Sequence, residues 1–451
     1  MLLASAFLLS VVTLGTLALN PFAGVLLLVV AKPIIDATWE HVLVAGMPLT
    51  QITSGLVPLI VLGHLCFSKP GQQLSRMPLR GIWIAYTVCL CSSAVLIIYD
   101  QDARSGLSVL LRHTNGFIGF YMMQAYCREA RQIQRLLLAL LAAGLVPIGM
   151  GLFQFATGTV WRGDEQQIEG IVRNVGLYHD AIAIRQYTLQ TILSVLLYVG
   201  MFPPQRLVIT SALWSYAVLA LVVLSKAYSK AGLIIIGLCA VSWTLLRRQF
   251  VSLLVMAGMA VIVGAYLASN YLSEVGTMYQ KELGFLSGTV GADRTFNGRW
   301  YIWQEMFTEW SRLGAFAKLF GSGKVGLGAH NDYLQVLFHG GLVGLALYVL
   351  LLSMVGFSLV RNLWRRADPL AVAGFMVFLA WMVDTVGLVP SGYSGYQWFV
   401  WGLIGLGLRV RQDEQRVVPP VESVGFDPTS RSPYRPIPEL AGTHRFPLVS
   451  R

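Results

Sequence analysis

Long apolar segments separated by short polar connections follow one another from the N-terminus to about residue 410. Most are about 17 to 25 residues long, which is enough for a helix to cross a hydrocarbon core of about 30 Å. Because lipid offers the backbone no hydrogen-bond partners, such segments have to be helical. The pattern predicts an all-α integral membrane protein of about 12 transmembrane helices, in the segments 1–36, 53–68, 80–99, 106–126, 133–156, 186–203, 207–224, 231–246, 250–272, 333–360, 369–389 and 396–410.

The first segment is too long for one straight span. It is interrupted at Asn20 and Pro21, where the proline has no backbone N–H to donate. It is therefore expected to be either one broken span or a tight hairpin. The N-terminus lacks the basic region of a signal peptide and continues directly into more apolar sequence, so we expect it to be retained.

Lysine and arginine are concentrated in alternate connections, which predicts that these connections lie in the cytoplasm. They are near residues 69–80, 128–135, 206, 247–248 and 361–366. The segments near 157–185, 225–230 and 273–332 are then expected outside, with the last of them forming a long outer loop before the last three helices. Residues 1–410 are expected to be one membrane body, and the stretch 411–451, rich in Pro, Ser and charge, is predicted to be a disordered cytoplasmic tail.

The composition, with 55% hydrophobic and only 12% charged residues, excludes an ordinary water-soluble domain. The net charge of +11 raises the question of nucleic acid, but the basic residues are scattered among short loops and form no stripe. We therefore expect membrane lipids, and no nucleic acid, among the partners. The five cysteines lie in or at the end of apolar segments without the spacing of metal ligands, which favours a packing role.

Basic residues also occupy the segments that are expected outside, where the positive-inside rule disfavours them. Two interpretations stay open. The charges are either solvated in translocated loops, or they form an anion site, for which arginine is suited because its fork grips two phosphate oxygens. The residues are Arg162, Arg173, Arg185, Lys226, Lys230, Lys281, Arg294, Arg299, Arg312, Lys318 and Lys324.

A glycine-rich run that ends in a histidine immediately precedes one apolar segment. The stretch reads LFGSGKVGLGAHNDYLQVLFHGGLVGL, with His330 at the expected helix start and Gly341 and Gly344 inside the helix. The run lacks the GxxxxGK[ST] pattern of a nucleotide-binding loop. A histidine in this place is compatible with a cap, an interfacial residue or a catalytic base.

This stretch resembles the O-antigen ligase family of membrane glycosyltransferases, which includes lipid A core ligases and polysaccharide polymerases. In that family a His followed by Asn, Ser or Gln, then nine residues and Gly-x-x-Gly, marks the last large outer loop and the helix after it. His330, Asn331, Gly341 and Gly344 match this pattern at every position.

Further basic residues match other features of the family. Arg299 with Trp300 corresponds to an arginine and a nearby tryptophan about thirty residues before the histidine. Lys230 stands where the family has the arginine of a Ser-Arg pair that opens a helix, and it keeps the charge but not the two-pronged geometry. Arg173 corresponds to an arginine of the middle outer loop, with Arg185 as its competitor.

The resemblance implies transfer of a polysaccharide from a polyprenyl diphosphate carrier to a lipid A core or other glycan acceptor, at the periplasmic face of the bacterial inner membrane. Arg299, Lys230 and Arg173 would stabilise the charge that develops on the diphosphate. His330 would remove the proton of the attacking hydroxyl. Such a single displacement inverts the anomeric configuration and is expected to need no metal or other cofactor; the outer segments show no DxD or HExxH pattern.

Several further residues allow both a structural and a functional interpretation. Asn331 either orients the imidazole or the acceptor, or it caps the following helix. Trp300 and Trp303 either stack on sugar or lipid, or are ordinary interfacial aromatics. Arg112 and His113 fall inside an apolar segment, where a charge in lipid costs roughly 2.5 to 3.5 kcal/mol, so they are expected to face protein or a water-filled cavity.

Two other functions compete with the ligase. A polymerase that joins carrier-linked repeat units shares the histidine motif, but an outer-loop arginine followed after ten residues by glycine, which would favour it, is absent at Arg162, Arg173 and Arg185. A polysaccharide transporter is the third possibility. It is disfavoured because the sequence lacks two-half symmetry and its main motif lies in a long loop.

Overall fold

The computed structural model describes residues 2–44, 46–67, 77–159, 167–168, 171–247, 298–325, 328–366 and 368–409, with isolated positions between 258 and 291. The predicted span 250–272, most of the outer loop before residue 298 and the predicted tail 411–451 lie outside the described residues. Residues 1–409 form one compact unit.

The described part of the body is built from helices. They are α1 (Leu2–Leu19), α2 (Pro21–Asp36), α3 (Leu49–Phe67), α4 (Arg80–Asp100), α5 (Ala103–Tyr126), α6 (Ala130–Ala143), α7 (Leu145–Thr157), α8 (Ala181–Met201), α9 (Leu207–Lys226), α10 (Lys230–Arg247), α11 (Arg299–Ser311), α12 (Ala315–Phe320), α13 (Asp332–Arg366), α14 (Pro369–Gly387) and α15 (Ser394–Leu408). A 3₁₀ turn at Pro390–Gly392 and two short antiparallel strand pairs complete it: β1 (Val42–Val44) with β2 (Met47–Pro48), and β3 (Gln167–Ile168) with β4 (Ile171–Val172).

Seven of the described helices, with α6 and α7 taken together, are long and apolar enough to cross a membrane, and α3 and α10 contain shorter apolar stretches. Large apolar side chains face outward: Leu207, Val208 and Trp364 are each at least 79% exposed. Such a surface is stable in lipid and unfavourable in water. The fold is therefore that of an all-α membrane protein, as predicted, while the number of about twelve spans stays a prediction.

The first apolar segment is a pair of packed helices, α1 and α2. Asn20 caps α2 by accepting a hydrogen bond from the N–H of Ala23 at 3.2 Å, and Pro21 occupies the first turn, where no donor is needed. The two helices approach so closely that a Cβ at Gly24 would lie 2.2 Å from the Cα of Leu17. Of the two predicted alternatives, the hairpin is the one that forms.

The bundle buries polar residues on several helices, among them α5, α8 and α15. Along α8 the buried hydroxyls of Thr188 and Thr191 donate to the carbonyls of Arg185 and Tyr187 at 2.7 and 2.9 Å. At the α5–α15 contact, the indole N–H of Trp398 donates to the Asn115 side chain at 2.9 Å. Buried polar groups paired within the bundle are what a low-dielectric surrounding requires.

Several helices begin or end with a carboxylate at the same end of the bundle, which we call the site end. Asp36 closes α2, Asp180 precedes α8, and Asp332 opens α13. They are tied together by hydroxyl donors from α8 and from the turn before α15: Tyr187 to Asp36 at 2.7 Å, Tyr393 to Asp180 at 2.9 Å, and Ser391 to Asp332 at 2.7 Å.

Candidate functional site

Arg173 lies at the site end, in a loop whose backbone is hydrogen-bonded to the Gln154 side chain. The Gln154 side chain donates to the Arg173 carbonyl at 3.2 Å, and its oxygen accepts from the N–H groups of Val175 and Gly176 at 2.9 and 2.8 Å. The Nε of Arg173 donates to the carbonyl of Ala227 at 2.9 Å. The bond from Nε fixes the position of the Arg173 guanidinium group.

Lys230 is the first residue of α10 and follows the turn to which Arg173 is bonded. Tyr228 in this turn has a left-handed backbone, with φ of 48°. The Ser229 hydroxyl accepts from the N–H of Gly232 at 3.2 Å, which starts the helix. A Cβ at Gly232 would lie 3.2 Å from the Arg185 side chain, so the start of α10 packs directly on α8.

Arg185, the competitor of Arg173 in the sequence, lies inside the bundle. It forms an ion pair of 2.9 Å with Asp384 of α14, and the two side chains are 1% and 0% exposed. Tyr396 donates to the other oxygen of Asp384 at 2.8 Å. Arg173 is partly exposed. The structure therefore places Arg173 where a ligand can reach it and gives Arg185 a partner of its own.

Arg299 opens α11 and reaches the end of α14. A Cβ at Gly387 would lie 3.5 Å from the Arg299 Nη1 atom. The Asn331 side chain donates to the Val386 carbonyl at 3.1 Å, next to this point. The loop before α13 and the start of α11 thus meet at the same helix end.

His330 lies in a tightly held loop, and its own backbone is left-handed, with φ of 45°. The carbonyl of Ala329 accepts from the Trp303 indole N–H at 2.6 Å, and its N–H donates to the Gln335 side chain at 3.3 Å. Asn331 caps α13 by accepting from the N–H of Leu334 at 3.0 Å. A non-glycine residue in this conformation is uncommon, and such strain is concentrated at functional sites.

The two glycines of the motif have different structural roles. Gly341 breaks α13, with φ of 62° and ψ of −164°, and a Cβ there would lie 2.4 Å from the backbone of Leu319. The carbonyl of Phe338, in the turn before the break, accepts from the N–H of Ser322 at 3.0 Å. A Cβ at Gly344 would have only ordinary neighbours, the nearest of them 3.6 Å away. The sequence placed Gly341 inside a continuous helix, whereas it is the point where α12 docks.

The buried His339 contacts the glycine-rich run, and a second buried histidine, His113, lies against His339. The Nε2 of His339 lies 2.9 Å from the carbonyl of Val325, and its Nδ1 lies 3.5 Å from Nε2 of His113. The ring of His113 meets Tyr86 edge-on. His113 thus faces protein, as the cost of burial in lipid requires.

Arg299 influences the ionisation of both Arg173 and His330, which places it near each of them. Burial, and then the neighbouring charges of Arg185 and Arg299, lower the pKa of Arg173 to about 10, against the opposing effect of Asp180. Burial and Arg185 also lower the pKa of Arg299. Both groups nevertheless remain cationic at neutral pH.

The pKa of His330 is lowered by burial and then by the Arg299 charge, while Asp180 acts in the opposite direction. Its imidazole is therefore neutral at neutral pH, which is the form that accepts a proton. Asp180 was missed by the sequence interpretation. In the sequence Asp180 is recognisable only as a helix cap, and its side chain does accept hydrogen bonds from the N–H groups of Ile182 and Ala183.

The two tryptophans near the start of α11, Trp300 and Trp303, have different surroundings. Trp303 is fixed by its bond to Ala329, whereas Trp300 is 38% exposed and its ring lies 6.3 Å from that of Trp303. Trp303 therefore positions the histidine loop. For Trp300 both predicted roles, a sugar or lipid contact and an interfacial residue, stay open.

A scan against protein-family models and a search of curated proteins found no match to this chain. Among the described residues, no group of three or more His, Cys, Asp or Glu side chains is arranged to hold a metal ion.

Proposed function

We propose that this chain is a membrane glycosyltransferase that moves a glycan from a polyprenyl diphosphate carrier to a hydroxyl of a lipid A core acceptor, at the periplasmic face of a bacterial inner membrane. The observation that carries the proposal is that Arg299 and the loop of His330 meet at the end of α14, where the Arg299 charge acts on both His330 and Arg173. The motif resemblance supports the same chemistry.

Arg173 and Arg299 are suited to bind the diphosphate leaving group. Breaking the bond between the sugar and the phosphate leaves an additional negative charge on the diphosphate, and pre-placed guanidinium groups stabilise that charge. Among the described residues, neither Arg173 nor Arg299 makes an ion pair with a carboxylate. Each therefore has charge left to offer, because Asp384 is engaged with Arg185 instead.

His330 is suited to act as the general base. As the acceptor oxygen forms its bond to the anomeric carbon, its proton passes to the imidazole, and the electron pair of the breaking bond leaves with the diphosphate. The lowered pKa keeps the imidazole unprotonated at neutral pH. Attack from the side opposite the leaving group inverts the anomeric configuration.

The first test compares wild type with His330→Asn, purified in nanodiscs and supplied with a polyprenyl-diphosphate-linked glycan, with and without lipid A core. Asparagine tolerates the left-handed backbone, so the loop is preserved while the base is removed. We expect transfer that requires lipid A core and falls by about 10²- to 10⁴-fold in the variant, the usual contribution of a general base.

Other outcomes would redirect the proposal. Lengthening of the carrier-linked glycan without lipid A core would identify a polymerase. Unchanged transfer in His330→Asn would remove the histidine from the chemistry. Movement of intact donor across a sealed membrane, with no bond broken, would identify a transporter.

The second test addresses the cations. Arg299→Gln removes one charged donor near the diphosphate, and loss of such a donor typically lowers kcat by about 10²- to 10³-fold. Arg312→Gln is the matched control, because Arg312 is exposed at the other end of the same helix. Equal activity of the two variants would exclude Arg299 from the diphosphate site.

A further inference from the structure

A cavity of about 720 Å³ lies at the site end, between α2, α3 and α5 and the start of α8. Its size is that of a typical small-molecule site. Asp180 and Tyr393 belong to its wall, and Asp180 also acts on the pKa of His330. The cavity is therefore a neighbour of the candidate site and is not explained by it.

One face of α5 supplies two cations to the cavity wall. Arg104, Ser108 and Arg112 recur at intervals of four residues, which places them on the same side of the helix, and all three line the cavity. The two arginines are separated by eight residues, or about 12 Å along the helix axis. Arg104 is exposed and Arg112 is partly buried, so the two charges lie at different depths.

The carboxylates of the wall are already engaged by other groups. Asp36 pairs with Lys32 and accepts hydrogen bonds from Thr50 and Tyr187. Asp102 accepts from the backbone N–H and the hydroxyl of Ser105. Asp180 caps α8 and accepts from Tyr393.

Neither arginine is paired directly with these carboxylates; Asp102 attracts Arg104, and Asp332 attracts Arg112, only at longer range. Among the described residues, the structure records neither a hydrogen bond from the guanidinium of Arg104 or Arg112 nor an ion pair of either. Gly46, with φ of 74°, leaves room for Arg104, since a Cβ there would lie 2.8 Å from its Nη1 atom. Two guanidinium groups in one cavity, whose hydrogen-bond donors are not taken up by a described carboxylate, suit an anion.

The wall also offers a surface that suits a sugar ring. The rings of Trp39 and His179 lie 4.0 Å apart, and both line the cavity. The indole Nε1 of Trp39 is buried, and among the described residues no hydrogen-bond partner is recorded for it. Aromatic faces combined with a few placed donors are the usual composition of sites for small polar ligands.

We propose that this cavity binds the acceptor, and that the acceptor is an anionic saccharide whose phosphate or carboxylate groups are held by Arg104 and Arg112. The inference rests on the proposed function, because transfer needs a second substrate and Arg173 and Arg299 are already assigned to the donor diphosphate. It adds a substrate property, the negative charge of the acceptor, and two residues that select for it.

The first experiment needs no enzymatic activity. Ser108→Cys, placed between the two arginines, is treated with methanethiosulfonate reagents that carry either a sulfonate or a trimethylammonium group. The measured quantity is the ratio of the anionic to the cationic labelling rate. We expect this ratio to be at least about tenfold higher at Ser108→Cys than at Thr308→Cys, an exposed position outside the cavity. Wild type, with its native cysteines, gives the background rate.

The preference should depend on the arginines and on ligand. Adding Arg112→Gln to Ser108→Cys should reduce it, and inorganic phosphate should slow labelling while chloride at equal ionic strength and glucose do not. Equal rates with the two reagents, or a preference that survives Arg104→Gln with Arg112→Gln, would overturn the anion site.

The second experiment assigns the site to the acceptor. Removing the phosphates from lipid A core should lower wild-type kcat/KM by about tenfold to a hundredfold, the usual cost of losing a hydrogen bond between charged groups. The same removal should have little effect on Arg112→Gln, while KM for the donor stays unchanged. A change in donor KM instead would overturn the acceptor assignment.

The two proposals fail in different ways. Absence of transfer in an otherwise folded wild type, together with a labelling preference for the anionic reagent, would overturn the proposed function and the acceptor role but leave the anion site standing. Transfer without any effect of acceptor phosphates or of Arg112→Gln would leave the proposed function standing and overturn the acceptor role of the cavity.

Discussion

The backbone of Gly341 passes so close to Leu319 that a Cβ on the glycine would lie 2.4 Å from the Leu319 carbonyl carbon. Its φ of 62° and ψ of −164° belong to a region that only glycine occupies readily. This glycine is therefore required where α12 packs on the break in α13. At the same break the residues after α12 bond to α13, since the N–H of Ser322 donates to the Phe338 carbonyl at 3.0 Å.

Gly341→Ala should consequently destabilise the protein and lower its activity. The backbone strain alone amounts to about 1 to 3 kcal/mol, and the contact with Leu319 adds to it. Gly344→Ala is the matched control within the same motif, because its Cβ would meet nothing closer than 3.6 Å. Thermal unfolding in detergent and transfer rates of the two variants measure the difference. Equal melting temperatures would contradict the docking role.

The sequence predicted an all-α membrane protein correctly because the signal of a membrane-spanning helix is local. An apolar segment long enough for lipid reports its own structure, and the interruption at Asn20 and Pro21 left only two possibilities, of which the hairpin forms. The break at Gly341 was not predicted, since it depends on where α12 packs and not on the residues around the glycine.

The composition of the candidate site was predictable only in part. Motif positions pointed to Arg173, Arg299 and His330, but their convergence depends on the packing of distant segments, which no local pattern encodes. The structure distinguishes Arg173 from Arg185 because Arg185 pairs with Asp384, and the role of Arg173 as a diphosphate ligand stays a prediction. For Lys230, the structure gives its place at the start of α10, and its role as a diphosphate ligand stays a prediction.

Asp180→Asn should shift the pH dependence of transfer in a defined direction. In the proposed mechanism His330 acts in its unprotonated form, so the rate should rise as pH increases through its pKa. The negative charge of Asp180 raises that pKa. Its removal lowers the pKa further, and the acid limb of the profile of kcat/KM should move to lower pH.

Asparagine keeps the acceptor oxygen that caps α8, so the fold should tolerate the change. Asp368→Asn, the same substitution at another helix cap in α14, is the control and should leave the profile in place. Arg299→Gln should shift the residual activity the opposite way, because the Arg299 charge lowers the pKa of His330. A shift of the Asp180→Asn profile to higher pH would contradict the arrangement.

Trp303→Phe should loosen the loop that holds His330. The substitution keeps an aromatic ring but removes the N–H that bonds the Ala329 carbonyl at 2.6 Å. We expect a loss of about 0.5 to 1.5 kcal/mol in stability and a fall in kcat, measured by thermal unfolding and by transfer rate. Trp300→Phe, one turn away and exposed, should change neither stability nor kcat by a comparable amount. If the two variants behave alike, the bond to Ala329 does not position the loop.

Arg185 and Asp384 should behave as a structural pair. Both are buried, so removing one charge leaves the other uncompensated, which costs about 3 to 5 kcal/mol. Arg185→Met and Asp384→Leu are each expected to be strongly destabilised, whereas the double variant should recover most of the stability, because the pair is then replaced by apolar side chains. Thermal unfolding of the four proteins completes the cycle. Additive losses in the double variant would show that the charges act independently, and Arg185 would then return as a candidate ligand of the diphosphate.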